Sequence, residues 1–311
     1  MKYDFTSIID RHDMDAIAVD SWGEIPGMAP NVPDEGFDRI PMWVADMNFA
    51  TVPTVQEHII KRAKHPMFGY FHPRAEYFDR IIEWQSRRNG VEGLLPEHIG
   101  YENGVLGGVV STLRAHVQPG DAVLVHSPTY IGFTKSIEAA GYRIVHSPLK
   151  LDEQGIWRMD FEDMEHKLEQ NCIHAAVFCS PHNPCGRVWE HDEIERAMDI
   201  YRRHDCVVIS DEIWSDIILP GHKHIPTQSV SEDARMRTVA LYAPSKTFNL
   251  AGLVGSYHII YNETLRDRVC AVSDKTHYNE MNVLSMHALI GAYQPQGYEW
   301  VDELSLSLIH I

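Results

Sequence analysis

The sequence predicts an α/β fold in which a mainly parallel sheet is sandwiched by helices. Two observations carry this expectation. From about residue 97 onward, strand-length apolar runs alternate with segments of helical period. The runs themselves, such as AVLV at 122–125, AAVF at 175–178 and VVI at 207–209, are continuous in Val, Ile and Ala rather than alternating with polar residues. That is the pattern of strands covered on both faces.

Taken in order, residues 1–50 form an extended arm, because the stretch WGEIPGMAPNVPDEG at 22–36 is crowded with turn formers. Residues 51–65 and 72–90 read as amphipathic helices, the second closed by Gly90 at a C′ position. Then come helix 104–117, strand 121–126, helix 130–140, strand 142–147, helix 160–170, strand 173–179, helix 190–204 and strands 206–210, 238–243 and 255–260. A helix is expected near 263–293. No internal repeat or low-complexity linker interrupts the pattern.

The 311 residues carry a net charge of −17, which disfavours nucleic acid and anionic membranes as partners. The apolar runs are far shorter than a membrane span, and the acidic N-terminus lacks the apolar core of a secretory signal. Five cysteines without paired short spacing fit reduced thiols in a cytoplasmic protein. Nineteen histidines invite a metal hypothesis, but neither His222 and His224 nor His204 belongs to a recognisable ligand set, so no metal is expected.

In parallel sheets, ligands bind beyond the carboxyl ends of the strands. The polar residues emerging there are Tyr130, Asn183, Asp211 and Lys246. Each alone admits a plainer role: an edge aromatic, a turn, a helix cap, a surface lysine. Together they suit pyridoxal 5′-phosphate (PLP). A lysine forms a Schiff base with the aldehyde, and a carboxylate keeps the pyridine nitrogen protonated so that the ring accepts electrons. An amide donates to the 3′-oxygen, and an aromatic face stacks on the ring. The run ENGVLGG at 102–108 opens a helix with small residues, a setting that backbone N–H groups make suitable for a phosphate.

Six segments extend this reading: PMWVADMNF (41–49), FGYF (68–71), SPTYIGF (127–133), SPHNPCGRVW (180–189), SDEIWSDI (210–217) and APSKTFNLAGL (243–253). In register, they resemble fold-type I PLP-dependent enzymes of the class I/II aminotransferase superfamily, and within it the MalY/PatB-like cystathionine β-lyase group. The resemblance covers nearly all of residues 1–295. It implies a PLP-dependent transferase-like fold with a seven-stranded sheet.

Residues 1–50 then supply the arm and part of a small domain, 51–290 the large PLP-binding domain, and 291–311 the start of an incomplete small α/β domain. Relatives continue further and there provide an arginine for the substrate carboxylate. The final LSLIHI is expected to be an artefactual end on a truncated reading frame.

Residue by residue, the resemblance implies Lys246 as the Schiff-base lysine, Asp211 as partner of the pyridine nitrogen, and Asn183 as donor to the 3′-oxygen. It implies Tyr130 stacked on the ring and Trp214 beside the cofactor. Gly104, Val105, Leu106 and Ser245 would hold the phosphate. Tyr70 would reach the phosphate of a neighbouring subunit in a homodimer with shared sites. Asn183 and Ala45 would face an amino-acid thioether substrate, with the segment Trp43 to Asp46 near its entrance.

The implied reaction is carbon–sulfur β-elimination. An aminotransferase is the alternative, and a PLP-fold regulator acting by protein contact is a third reading. Val254, where many aminotransferases carry an arginine eight residues after the lysine, favours the lyase. Cys185 replaces the threonine that often follows HNP.

Overall fold

The computed structural model describes residues 2–309. The end segment read as artefactual therefore lies partly outside the described residues, at positions 310 and 311. Helices α1 (Pro53–Ala63) and α2 (Ala75–Asn89) precede the sheet. The sheet consists of β1 (Ile99–Asn103), β2 (Ala122–Ser127), β3 (Arg143–Pro148), β4 (Ala175–Cys179), β5 (Val207–Asp211), β6 (Thr238–Tyr242) and β7 (Gly255–Ile259). Their spatial order is β1-β7-β6-β5-β4-β2-β3. Neighbours from β3 to β6 pair parallel, and β7 runs antiparallel between β6 and β1. Strands β1, β2, β4, β5 and β6 thus share one direction and end on one rim.

Helices α3 (Gly104–His116), α4 (Ile131–Ala139), α5 (Phe161–Asn171) and α6 (His191–Arg203) connect the strands, and α7 (Glu263–Thr276), α8 (Val283–Ala292) and α9 (Pro295–Leu308) follow them. Every residue of β4, β5 and β6 is buried, as the unbroken apolar runs require. Gly90 closes α2 at φ 67° and donates to Gln85 O and Ser86 O, the anticipated left-handed cap.

The structure departs from the sequence reading in two places. Strand β1, IGYEN, is not among the expected strands, Glu102 and Asn103 interrupting its apolar pattern. The sheet buries Glu102 completely and satisfies it with Ser111 Oγ (3.1 Å), Ser273 Oγ (2.9 Å) and His258 Nδ1 (3.2 Å). The helix expected over 263–293 is two helices. His277 adopts φ 58° at the end of α7, and Asn282 caps α8 by accepting from Leu284 N and Ser285 N. The break lets Tyr278 O accept from Asn103 N (2.7 Å), tying the connection to the end of β1.

Helix α8 is buried throughout 285–292, as a helix apolar on every side must be. It presses on α1 so closely that Thr54 Oγ1 donates to Gly291 O at 2.7 Å. The N-terminal arm packs over α9. Phe5 meets Trp300 edge-on (5.5 Å), and the backbone N–H groups of Lys2 and Tyr3 donate to the Glu303 carboxylate.

A Cβ at Gly291 would lie 2.5 Å from Thr54 O and 2.9 Å from Val55 Cα, both backbone atoms that cannot step aside. Gly291→Ala is therefore expected to destabilise the fold by about 1–3 kcal/mol in urea unfolding, whereas Gly252→Ala, with open space around it, stays within roughly 0.5 kcal/mol.

Candidate active site

The shared direction of five strands brings the predicted residues to one crevice. Asp211 ends β5, Asn183 follows β4, Tyr130 follows β2, Lys246 follows β6, and Gly104 follows β1. Asp211 is 5% exposed. One carboxylate oxygen accepts from Ile213 N at 3.1 Å; among the described residues no protein donor reaches the other. Burial raises its pKa to about 7, opposed by the Ile213 N–H and the nearby positive Lys246.

Lys246 lies in the helical turn Pro244–Thr247. The turn is anchored from beneath: Thr247 Oγ1 donates to Asp216 Oδ2 (2.8 Å), and the same carboxylate accepts from Trp84 Nε1 (3.0 Å). The Lys246 amine makes one long bond, 3.3 Å to Ala45 O, and stands 5.8 Å above the Trp214 ring. Burial lowers its pKa, with Asp211 and Asp46 pulling the other way. A half-buried amine without an ion-pair partner among the described residues is poised for chemistry.

Tyr130 feels Asp211 too: desolvation first, then the Asp211 charge, raises its hydroxyl pKa. Its ring is set edge-on to Phe133 at 5.4 Å. A Cβ at position 132 would lie 2.2 Å from Tyr130 Cε1, so Gly132 leaves the space the ring occupies. Asn183 sits in a loop closed by His182 N to Arg187 O (2.7 Å) and Gly186 N to His182 O (2.8 Å). Its own N–H donates to Cys179 Sγ at 3.4 Å, on the strand neighbouring Asp211. Cys185 is half-buried in this loop.

At the far end of the crevice α3 begins without a side-chain cap. Gly104 has φ 75°, a left-handed value suited to glycine. The first-turn N–H groups of Val105 and Leu106 are thus free of any capping side chain. Ser245 is half-buried in the Lys246 turn. Val254 lies beside Gly104, its Cγ1 4.0 Å from where a Cβ would be; it holds φ 55°, a costly conformation for a β-branched residue. Tyr70 projects fully into solvent, away from these groups.

The sequence reading missed the clamp that places Ala45. Arg11 makes a bidentate pair with Asp46 (2.8 and 2.6 Å) and also donates to Asn48 Oδ1 (2.9 Å). Asn249 grips Met47 through both backbone groups, at 3.1 and 2.9 Å. Arg11 stands in a turn-rich arm with no periodicity, so only the i-to-i+35 contact reveals it. Of the histidines weighed as ligands, His224 is buried and bonded to Glu212 Oε2 at 2.7 Å. Among the described residues no cluster of His, Cys, Asp or Glu is placed to hold a metal.

These features fit PLP. A buried carboxylate with an unsatisfied oxygen suits a protonated ring nitrogen, an unpaired amine suits an aldehyde, and an uncapped helix start suits a phosphate.

Comparison with known proteins agrees with this chemistry. The profile of the family "Aminotransferase class I and II" matches residues 40–304, and the chain belongs to that family. Within it, the chain is 35% identical to cystathionine beta-lyase PatB of Bacillus subtilis over 95% of its own length and 73% of that protein. It is 33% identical to protein MalY of Escherichia coli, covering 98% of this chain and 75% of the relative. The crystal structure of the PLP-bound C-S lyase from Staphylococcus hominis superposes with a TM-score of 0.86 at 31% identity, covering 99% of this chain and 75% of that one. The fold is the fold-type I PLP-transferase fold, with seven strands flanked by helices.

The raised pKa of Asp211 has a consequence for the cofactor-free protein. The folded carboxyl holds its proton up to about pH 7, the unfolded one only to about 3.8. Stability contributed by the protonated form is therefore present below pH 4 and lost as pH rises through 7. Asp211→Asn removes that loss: at pH 8 the cofactor-free variant is expected to be more stable than the parent by on the order of 2–4 kcal/mol. At pH 4 the two should unfold together, as thermal melts at both pH values will report.

Proposed function

We propose that this chain is a PLP-dependent carbon–sulfur β-lyase that releases pyruvate, ammonia and a thiol from cystathionine or a related cysteine thioether. The observation carrying this reading is the pairing of an unpartnered, half-buried Lys246 with a buried Asp211 on one rim, in a chain whose relatives include cystathionine β-lyases. The aminotransferase reading remains the second candidate, since it begins with the same proton abstraction.

Bound PLP would supply an electron-accepting ring that stabilises negative charge at the substrate Cα. Lys246 would hold its aldehyde, Asp211 its ring nitrogen and Asn183 its 3′-oxygen. Tyr130 and Trp214 would flank the ring, and Gly104, Val105, Leu106 and Ser245 would receive the phosphate.

Lys246 would take the Cα proton of the bound substrate; burial lowers its pKa and so enlarges the unprotonated fraction that can act as base. Asp211, as carboxylate, would keep the ring nitrogen positive. The electron pair left at Cα expels the thiolate from Cβ, and hydrolysis of the remaining fragment yields pyruvate and ammonia. The carbonyl of Ala45, fixed by the Arg11–Asp46 pair, holds the Lys246 amine on the substrate side. With Val254 in place of a cationic side chain, the phosphate would rest on the N–H groups at the start of α3 together with Ser245.

The working assembly on this reading is a cytoplasmic homodimer. Its support is the exposed run Met67, Phe68, Tyr70 and Phe71, an apolar surface that a second subunit would cover, with Tyr70 reaching across. The five cysteines are all unpaired.

Two outcomes test the reading. The PLP-loaded protein should show a visible absorbance band from lysine-bound cofactor that disappears in Lys246→Ala. Supplied with cystathionine and no 2-oxo acid, it should form pyruvate and free thiol; amine transfer only when a 2-oxo acid is added would instead establish an aminotransferase. Arg11→Ala leaves the Asp46 charge uncompensated, which favours protonated Lys246. The acidic limb governed by that base should then move to higher pH in a kcat profile, whereas loss of activity without a shift would give Arg11 a purely structural role.

A further inference from the structure

Away from the crevice, a second cavity of about 420 Å³ opens where α1, the start of α2 and α8 meet. Its walls carry three fixed cations and three histidines. Helix α1 contributes His58, Lys61 and Arg62, which share one face at i, i+3 and i+4 spacing. His65 follows just beyond the helix end, Arg74 stands at the N-cap of α2, and His287 comes from α8. Glu76 is the single carboxylate in the lining, and it is engaged by Arg74 at 3.4 Å.

In a chain of net charge −17, three fixed cations around one carboxylate run against composition. His287 lines the cavity and makes no hydrogen bond among the described residues. Arg62 is held by Nη2 to Met67 O at 2.9 Å and by its guanidinium over the Phe68 ring at 5.1 Å, yet its Nη1 is buried and unsatisfied among the described residues. An unsatisfied guanidinium nitrogen costs stability unless something supplies an acceptor.

From this arrangement we infer that the cavity between α1, α2 and α8 is a binding site for a small multiply charged oxyanion, distinct from the cofactor crevice. Phosphate and a dicarboxylate share the chemistry it would recognise: acceptor oxygens for Arg62 Nη1 and His287, and negative charge for Lys61, His65 and Arg74. Burial lowers the pKa of His287, assisted by Arg74, Arg62 and His58 and opposed by Glu76; burial likewise lowers that of His58, assisted by Lys61 and Arg80 but opposed by Glu76 and Glu57. An entering anion reverses those repulsions, so binding takes up protons and tightens as pH falls.

The test is calorimetric titration of inorganic phosphate, and separately of succinate, into the PLP-loaded protein at pH 6 and pH 8, with sodium chloride at matched ionic strength as control. One site is expected, tighter at pH 6 when affinity is referred to the concentration of the probe's dianion, with the visible cofactor spectrum unchanged. The affinity should fall at least tenfold in Arg62→Gln, a half-buried position chosen so that folding survives, and again in His287→Gln. Preference between the two probes identifies the kind of oxyanion. Absence of binding at millimolar probe, equal heats from chloride, or affinities unaltered in Arg62→Gln would overturn the inference. So would a gel-filtration result in which phosphate binds only when subunits are dissociated, because the cluster would then be an intersubunit contact.

Discussion

A carboxylate held out of water at the end of the central strand organises the crevice. Asp211 is placed there by the parallel pairing of β4, β5 and β6, which leaves it between Cys179 on one neighbour and Leu241 on the other. With one backbone donor and no cation in contact among the described residues, it is an incomplete interaction whose natural complement is a positive charge brought from outside the chain. Lys246 is near enough to influence it without pairing with it. The two groups therefore keep their reactivity for something placed between them.

The surroundings hold these groups rigidly while leaving them unsatisfied. Asp216 is fully engaged with Trp84 and Thr247, and Glu212 with His224, Thr227 N, Ser210 and Tyr242. Glu212, next in sequence to Asp211, and Asp216, five residues on, are thus buried acids with hydrogen-bond donors on them. The contrast is informative: in one short stretch, 210–217, the fold fulfils two carboxylates and leaves a third open.

Much of this was legible in the residues. Continuous apolar strands announced the parallel sheet, and strand ends announced the rim where Tyr130, Asn183, Asp211 and Lys246 meet. What escaped was non-local or locally atypical. Strand β1 hid behind Glu102, whose burial depends on Ser273 and His258 more than 150 residues away. The break between α7 and α8 was masked because both flanks are helix formers and only Asn282 and His277 mark it. The Arg11 clamp could not be seen at all, since an arginine in a turn-rich arm has no pattern that names its partner. The cationic cavity likewise draws on three segments far apart in the chain.

The arm also bears on how the protein is made. Arg11 shapes the entrance through Asp46, yet the arm itself is seated against Trp300 and Glu303 near the other end of the chain. During synthesis the arm must therefore wait until residues 300–303 have been made before it can dock. The sheet can form earlier, but the wall beside Lys246 is finished only after that segment has left the ribosome.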